Sequence, residues 1–503
     1  MINYHNPILD ADWPDPDVIR VGDTFYLVAS SFNRAPGLPL LTSTDLVHWR
    51  PIGHALPAVP PYDHYRLPRH GSGVWAPALR HHAGRFWIFY PDPDHGIFMI
   101  NAERAEGPWS APHLVYPGRG LIDPCPLWDD DGRAYLVHGW AKSRAGINNR
   151  LSVCPLAPDG TTVLGPSRTV IDGDQLPGYR TLEGPKFYRR DGWYWIFAPA
   201  GGVADGWQSV FRSRSVWGPY QDRIVLARGS TDINGPHQGA WVDTPAGEDW
   251  FVHFSDRGPY GRVVHLQPLR WAADGWPELG RPTGSGPGEP VRQHPMPRPS
   301  AAGSDEPSRT DDFTGTTLGP QWHWQANPAD DWAELRGDGL LLLPVLGDDP
   351  GNLRDLPRVL GQTLPGRPSS TTVELHLDPD QPGARAGLVV LGERYAWIGL
   401  EIGPDGPRLV CRQGGPSPIE EPLAAPEPLP GDRVSIRVDC AEDATCRFAW
   451  RPGAEPWRRS DITFTATAGR WIGAELGLFA TAPFGSGRSG TAHFGQFTVT
   501  LSS

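Results

Sequence analysis

Lysine is almost missing from this chain: it occurs only at Lys142 and Lys186, and arginine carries nearly all the positive charge. Acidic residues outnumber basic ones, 57 to 45, for a formal net charge of −12. That balance argues against a binder of nucleic acid or of an anionic membrane. Cysteine is scarce as well. Cys125, Cys154, Cys411, Cys440 and Cys446 form no C-x-x-C pair and are odd in number, so neither a disulfide framework nor a zinc site is expected. No apolar run approaches the roughly 20 residues of a membrane span. The N-terminal MINYHNPILDADWPDPD has no basic region and no apolar core, so no secretory signal is expected and a soluble, cytoplasmic protein is. G-x-S-x-G, H-E-x-x-H and Walker-type loops are absent, which removes the common serine-hydrolase, zincin and nucleotide-binding chemistries. Helical patterning is scarce throughout.

What is abundant is glycine (60), proline (57) and aromatic strand-like runs separated by turn residues, which points to an all-β protein. Five stretches share one frame: PDPDVIRVGDTFYLVAS from Pro14, WAPALRHHAGRFWIFYP from Trp75, IDPCPLWDDDGRAYLVHGW from Ile122, LEGPKFYRRDGWYWIFAPA from Leu182 and HQGAWVDTPAGEDWFVHFS from His237. Each opens on a small polar or proline-containing step, passes a Gly/Asp-rich turn and enters an aromatic-aliphatic strand. Their leading positions are Asp15, Ala76, Asp123, Glu183 and His237, roughly every 47 to 61 residues. That period indicates a radial β architecture with one sheet per repeat. Further strand-like runs at 40–49, 98–109, 151–156, 209–220 and 263–271 supply outer strands, so residues 1–290 read as a five-bladed β-propeller with four strands per blade.

Residues 281–310 are dense in Pro, Gly and Ser, and 291–309 read as an extended connector. Beyond it the period changes to two. TTVELHL (371–377), RVSIRVDC (433–440), CRFAW (446–450) and FGQFTVTL (494–501) alternate apolar and polar residues, the mark of a sandwich, so 310–503 read as a separate β-sandwich.

In a closed ring the repeat starts meet at one axis, and Asp15, Asp123 and Glu183 then converge. Three carboxylates in one pocket suit acid–base chemistry on a polar substrate. Asp15 sits between Pro14 and Pro16, which favour an extended entry. Asp17, two residues on, is a competing carboxylate, whereas Asp129, Asp130 and Asp131 read as a solvent-facing turn. His237, opening the fifth repeat, could orient a carboxylate, hold water or ligate an axial cation. Arg262 offers a planar fork for a carboxylate or for hydroxyls. The 22 tryptophans exceed what a core needs; Phe32, Trp75, Trp140 and Trp207, near the repeat starts, are candidate platforms for the apolar face of a sugar, Trp75 foremost.

These residues resemble glycoside hydrolase family 43, and within it the β-xylosidase / α-L-arabinofuranosidase branch with a C-terminal sandwich. The resemblance rests on N-P-I-L…W-P-D-P-D-V-I-R-V-G-D-T-F-Y-L around Asp15, V-W-A-P-A-L at 74–79, I-D-P-C-P-L-W-D-D-D-G at 122–132, E-G-P at Glu183, and H-Q-G-A-W-V-D-T…G-R-V-V-H-L-Q-P-L-R-W from His237 to Trp271. D-D-F-T near Asp311 and W-H-W near Trp322 resemble that branch's sandwich, a concanavalin-A-like jelly roll. The resemblance implies an exo-acting, inverting glycosidase. Asp15 would be the general base, Glu183 the general acid, and Asp123 the residue that raises the pKa of Glu183 and holds it. Phe32, Trp75, His237 and Arg262 would shape the pocket for the terminal sugar. Xylo-oligosaccharides are the expected substrate, with arabinosyl oligosaccharides next and a non-catalytic carbohydrate-binding propeller as a third reading. No cofactor is required, an axial calcium near His237 is compatible with the family, and so is a homo-oligomer. A sandwich loop is expected over the pocket, with 347–362 as the candidate. Lys186 departs from the family pattern, three residues after the expected acid, and is expected to point outward.

Overall fold

Five four-stranded antiparallel sheets arranged around an axis make up the N-terminal part of the computed structural model, which describes residues 2–502 except 285, 298–307, 379–380, 418 and 430. Blade one runs Asp17–Val21, Thr24–Val28, Gly37–Ser43 and Arg50–Leu56. Blade two runs Ala78–His82, Arg85–Asp92, Gly96–Ala102 and His113–Pro117. Blade three comprises Leu121–Trp128, Ala134–Trp140, Arg150–Leu156 and Arg168–Asp172. Blade four comprises Lys186–Arg190, Trp193–Ala200, Trp207–Ser213 and Gln221–Ala227. Blade five comprises His237–Asp243, Asp249–Asp256, Arg262–Trp271 and Pro277–Leu279. The protein is thus a five-bladed β-propeller followed by a sandwich. The runs read as outer strands are the third strands, with a fourth outside each.

The turn inside each repeat has a common cause. Gly22, Gly84, Gly132, Gly192 and Gly247 all adopt positive φ between the first and second strands. A tight hairpin that matches strand twist needs that conformation, and glycine adopts it without steric cost. The tryptophans are explained chiefly by packing. Apolar clusters lie between neighbouring blades: Trp49 and Trp250 between blades one and five, Trp87 between two and three, Trp195 and Trp276 between four and five. Each blade therefore buries both faces, and a large ring fills the wedge between two diverging sheets.

Gln293–Pro295 pairs with Asn3–His5, and Leu9 bridges to Val264, so both ends of the propeller chain lie against blade five. Of the expected connector, residues 298–307 lie outside the described residues. The sandwich stacks two large sheets. One is ordered His323–Trp324, Leu360–Thr363, Glu475–Thr481, Arg385–Leu391, Tyr395–Gly403, Gly406–Gly414 and Glu421–Pro422; the other is centred on Arg488–Phe494, Ser369–Leu377 and Arg433–Cys440. Alternate residues of Ser369–Leu377 are buried, as period two requires. The run expected at 494–501 is broken: one strand ends at Phe494 and another starts at Thr498. The two domains dock through a short backbone ladder, Ala35 N–H to Trp324 O (3.1 Å) and Trp324 N–H to Ala35 O (2.7 Å). All five cysteines are free and buried.

Candidate active site

The first strands of the blades adjoin around the axis, and their leading ends form the floor of a cavity of about 320 Å³. That is within the range of small-ligand sites. Asp15, Asp123, Glu183, His237, Arg262, Phe32, Trp75 and Trp140 all line it. Trp207 does not; it packs edge-on against Tyr179 under the Arg180 guanidinium. Two other cavities lie between blade one and the sandwich, and neither brings two carboxylates together.

The acids are aimed by unusual backbone. Asp15 and Asp123 each have φ +54°. The prolines around Asp15 do not yield the extended entry expected of them; the chain passes through the left-handed region there. That conformation costs about 1–3 kcal/mol for a residue with a side chain, and aspartate is among those that tolerate it best. Asp123 sits at a bulge between Ile122 and Cys125, and Gln238, beside His237, sits at another with φ +29°. A bulge re-aims a side chain without ending the strand. Gly184, after Glu183, has φ +61°, and a Cβ there would lie 2.4 Å from the Gln238 side chain, so only glycine fits.

Asp15 is held at both oxygens: Oδ1 accepts from Arg262 Nη1 (2.7 Å) and Oδ2 from Ser30 Oγ (2.6 Å). Asp123 Oδ2 accepts from the Gly184 N–H (2.7 Å), which ties it to the segment carrying Glu183. Glu183 is the most open of the three, its side chain 28% exposed, with Oε1 3.3 Å from His237 Nε2. Burial pushes the Asp123 carboxyl up to about 7; the charges of Glu183 and Asp15 act in the same direction, while the Gly184 N–H and Lys186 oppose them. Asp123 thus retains a proton well above the ordinary carboxylate range.

The deeper axis corrects three expectations. Lys186 points inward and is buried. Its Nζ crosses from blade four to donate to Pro77 O (2.6 Å) at the start of blade two, and lies 3.7 Å from Asp17 of blade one. Asp17 is no rival catalytic acid: it is fully buried and accepts from the Leu79 N–H (2.7 Å) and Arg80 Nη1 (2.8 Å). Asp129, read as solvent-facing, has a buried side chain bonded to Arg189 and Tyr194, whereas Asp130 and Asp131 are exposed.

A calcium ion takes six to eight oxygens. Among the described residues no group of three or more His, Cys, Asp or Glu could hold a metal, and neither ring nitrogen of His237 has a hydrogen bond among them.

The walls come from three places. Trp75, fixed by Nε1 donating to Gly71 O (3.0 Å), lies beside Phe32 and under the Arg144 guanidinium. The 140–149 segment forms a short helix, Lys142–Ala145, whose start also lines the cavity. The third wall is Trp471 of the sandwich, edge-on to Trp75 at 6.3 Å. It was not legible in the sequence. The 347–362 segment, expected in that place, does not line the cavity; it meets the propeller where Arg354 O accepts from His70 (2.8 Å).

Carboxylates gathered at a propeller axis between aromatic walls are the equipment of a glycoside hydrolase. The family model for glycosyl hydrolases family 43 matches residues 4–277, and the chain belongs to that family. The model for the beta xylosidase C-terminal Concanavalin A-like domain matches 310–500. A Xylanibacter ruminicola relative is 36% identical over 488 residues, 95% of this chain and 86% of its own. The beta-xylosidase of Formosa agariphila is 30% identical, covering 95% of this chain and 87% of its own. The non-reducing end alpha-L-arabinofuranosidase of Bacteroides ovatus is 31% identical over 77% of this chain and 73% of its own. The crystal structure of the family-43 protein BlXynB from Bacillus licheniformis superposes with a TM-score of 0.87 at 26% identity, over the whole of both chains.

Proposed function

We propose that this glycoside hydrolase releases terminal D-xylose from β-1,4-xylo-oligosaccharides by single displacement with inversion. Asp15 is the general base that activates water, Glu183 the general acid that protonates the leaving oxygen, and Asp123 the group that holds and tunes Glu183. The observation that carries this reading is the convergence of the three carboxylates in one pocket whose far wall, Trp471, comes from the second domain. A wall there suits a pocket for a chain end, hence exo action. Each Asp15 oxygen already accepts one bond and keeps a lone pair for water. Glu183, the most open carboxyl, can reach a leaving group, and the buried Asp123 beside it, tied to the Gly184 N–H, holds the segment that carries it.

A second reading, α-L-arabinofuranosidase activity, is favoured by the match to the Bacteroides ovatus enzyme. Initial rates on aryl β-D-xylopyranoside and aryl α-L-arabinofuranoside separate the two. NMR of the first-formed product anomer tests inversion, and retention would refute the water-activating role of Asp15. Asp15→Asn should lose nearly all hydrolysis; wild-type rates in that variant would refute its role as base, and only an absence of hydrolysis by the wild type would leave a carbohydrate-binding propeller. The rate should change between about pH 4 and pH 8, where a poised acid titrates.

A further inference from the structure

Five consecutive residues of the sandwich, Trp471 to Glu475, do more than complete the pocket wall. Gly473 packs on Gly261, where a Cβ would lie 2.7 Å from the Gly261 nitrogen. The Gly473 backbone lies beside the Asp12 carboxylate. Ala474 N–H donates to Pro259 O (2.6 Å). Glu475 forms an ion pair with Arg34 of the propeller and accepts from His323 Nε2 (2.7 Å). Arg34 Nη1 in turn reaches Asp12 Oδ2 (3.3 Å). Asp12, itself buried, accepts through Oδ1 from the backbone N–H of Arg262 (2.9 Å), and Trp13 N–H donates to Arg262 O (2.9 Å). Arg262 then grips Asp15 through Nη1 at 2.7 Å. One connected series of buried polar contacts thus runs from the second domain to the proposed base: Glu475, Arg34, Asp12, Arg262, Asp15.

We infer that the sandwich positions the catalytic base: Glu475 and Asp12 are positioning residues that act through Arg262 on Asp15. The physical reason lies in the series itself. Arg262 starts a strand directly after Gly258–Tyr260 and Gly261 (φ +75°), a turn closed by Arg257 N–H to Gly261 O (2.8 Å) and Gly261 N–H to Gly258 O (2.9 Å). On the side facing away from that turn its backbone is held by Asp12, and Gly261 is packed by Gly473. Asp12 and Glu475 share one cation, Arg34, so losing either leaves a buried charge to rearrange. Misplacing a catalytic group by about 1 Å can cost roughly 100-fold in rate. Trp471 and Glu475 are thereby distinct in kind: the first touches the substrate space, the second acts at a distance.

This inference rests on the role of Asp15 proposed above, and the experiment separates the two. Steady-state kinetics on aryl β-D-xylopyranoside are measured for full-length Glu475→Gln, Asp12→Asn, Arg34→Lys and Trp471→Ala, each checked for folding by its thermal transition. Glu475→Gln and Asp12→Asn should lower kcat about 10-fold or more with KM within about 2-fold, whereas Trp471→Ala should chiefly raise KM. The same substitutions are then made on an Arg262→Lys background. If they act through Arg262, their effect on kcat there shrinks to less than about 2-fold. Full additivity with Arg262→Lys, or a KM increase like that of Trp471→Ala with kcat unchanged, overturns the inference. If instead Asp15→Asn and Arg262→Lys both hydrolyse at the wild-type rate, the reading of the site has failed and this inference with it.

Discussion

Asp123 is a carboxyl whose place in the site should work against the stability of the fold, and Asp123→Asn measures by how much. In the folded protein its pKa is raised from 3.8 to about 7, first by burial and then by Glu183. The folded state therefore holds a proton that the unfolded chain has released. Stability from this group is fully present below about pH 3.8, declines as pH rises, and is gone once pH passes about 7. A displacement of about 3 units corresponds to about 4 kcal/mol, taken as a ceiling. Asparagine keeps the acceptor for the Gly184 N–H, tolerates φ +54° and carries no charge. The variant should thus be near-neutral in stability at pH 4, more stable than wild type by up to about 4 kcal/mol at pH 8, and severely impaired in hydrolysis. Urea unfolding followed by tryptophan fluorescence at both pH values tests this directly. Equal destabilisation at the two pH values would refute the reasoning, since it would mean that Asp123 is ionised at no net cost in the fold.

Other consequences follow from single contacts. Gly184→Ala should lower kcat by at least about 100-fold, because its Cβ collides with Gln238 and displaces the neighbouring Glu183; steady-state rates check it. Lys186→Met should cost about 2–3 kcal/mol in urea unfolding, less than a fully stripped buried pair, because Asp17 keeps Arg80 and the Leu79 N–H. Trp471→Ala should raise KM about 10-fold while costing under about 1 kcal/mol of stability, since this ring is 41% exposed. Burial raises the Glu475 carboxyl, but Arg34 and His323 more than offset it and hold it at about 2 against an ordinary 4.5. Its contribution, about 3 kcal/mol, is present above about pH 4.5 and lost as pH falls toward 2; acid titration of intrinsic fluorescence should show domain docking loosen in that window.

Much of the site was readable because its parts are local and repeated. Asp15, Asp123 and Glu183 lie at one place in a frame that recurs, so finding the frame placed the acids together before any coordinates. His237 leads the fifth repeat for the same reason, whereas Arg262 lies late in that repeat, at the start of its third strand. What could not be read is what depends on contacts between distant segments. Lys186 follows Glu183 in sequence and was expected outside; the alternation of an inner strand turns it into the axis, where carbonyl and carboxylate acceptors from blades two and one replace its lost hydration. Asp17 looked like Asp15 in sequence, yet Arg80, sixty-three positions on, makes it structural. The excess of tryptophan pointed to sugar platforms, but a ring of diverging sheets needs large wedges, and few of the rings reach the pocket.

The chain's own pattern determined the all-β class, the five repeats and the offsets of the acids, because hairpin chemistry and strand period act over a few residues and leave their mark in each one. Tertiary structure decided which carboxylate keeps a proton, which aromatic closes the pocket and how Arg262 is held. Those properties come from burial, from charges facing one another across an axis and from a second domain that begins only at residue 310, none of which sequence proximity records.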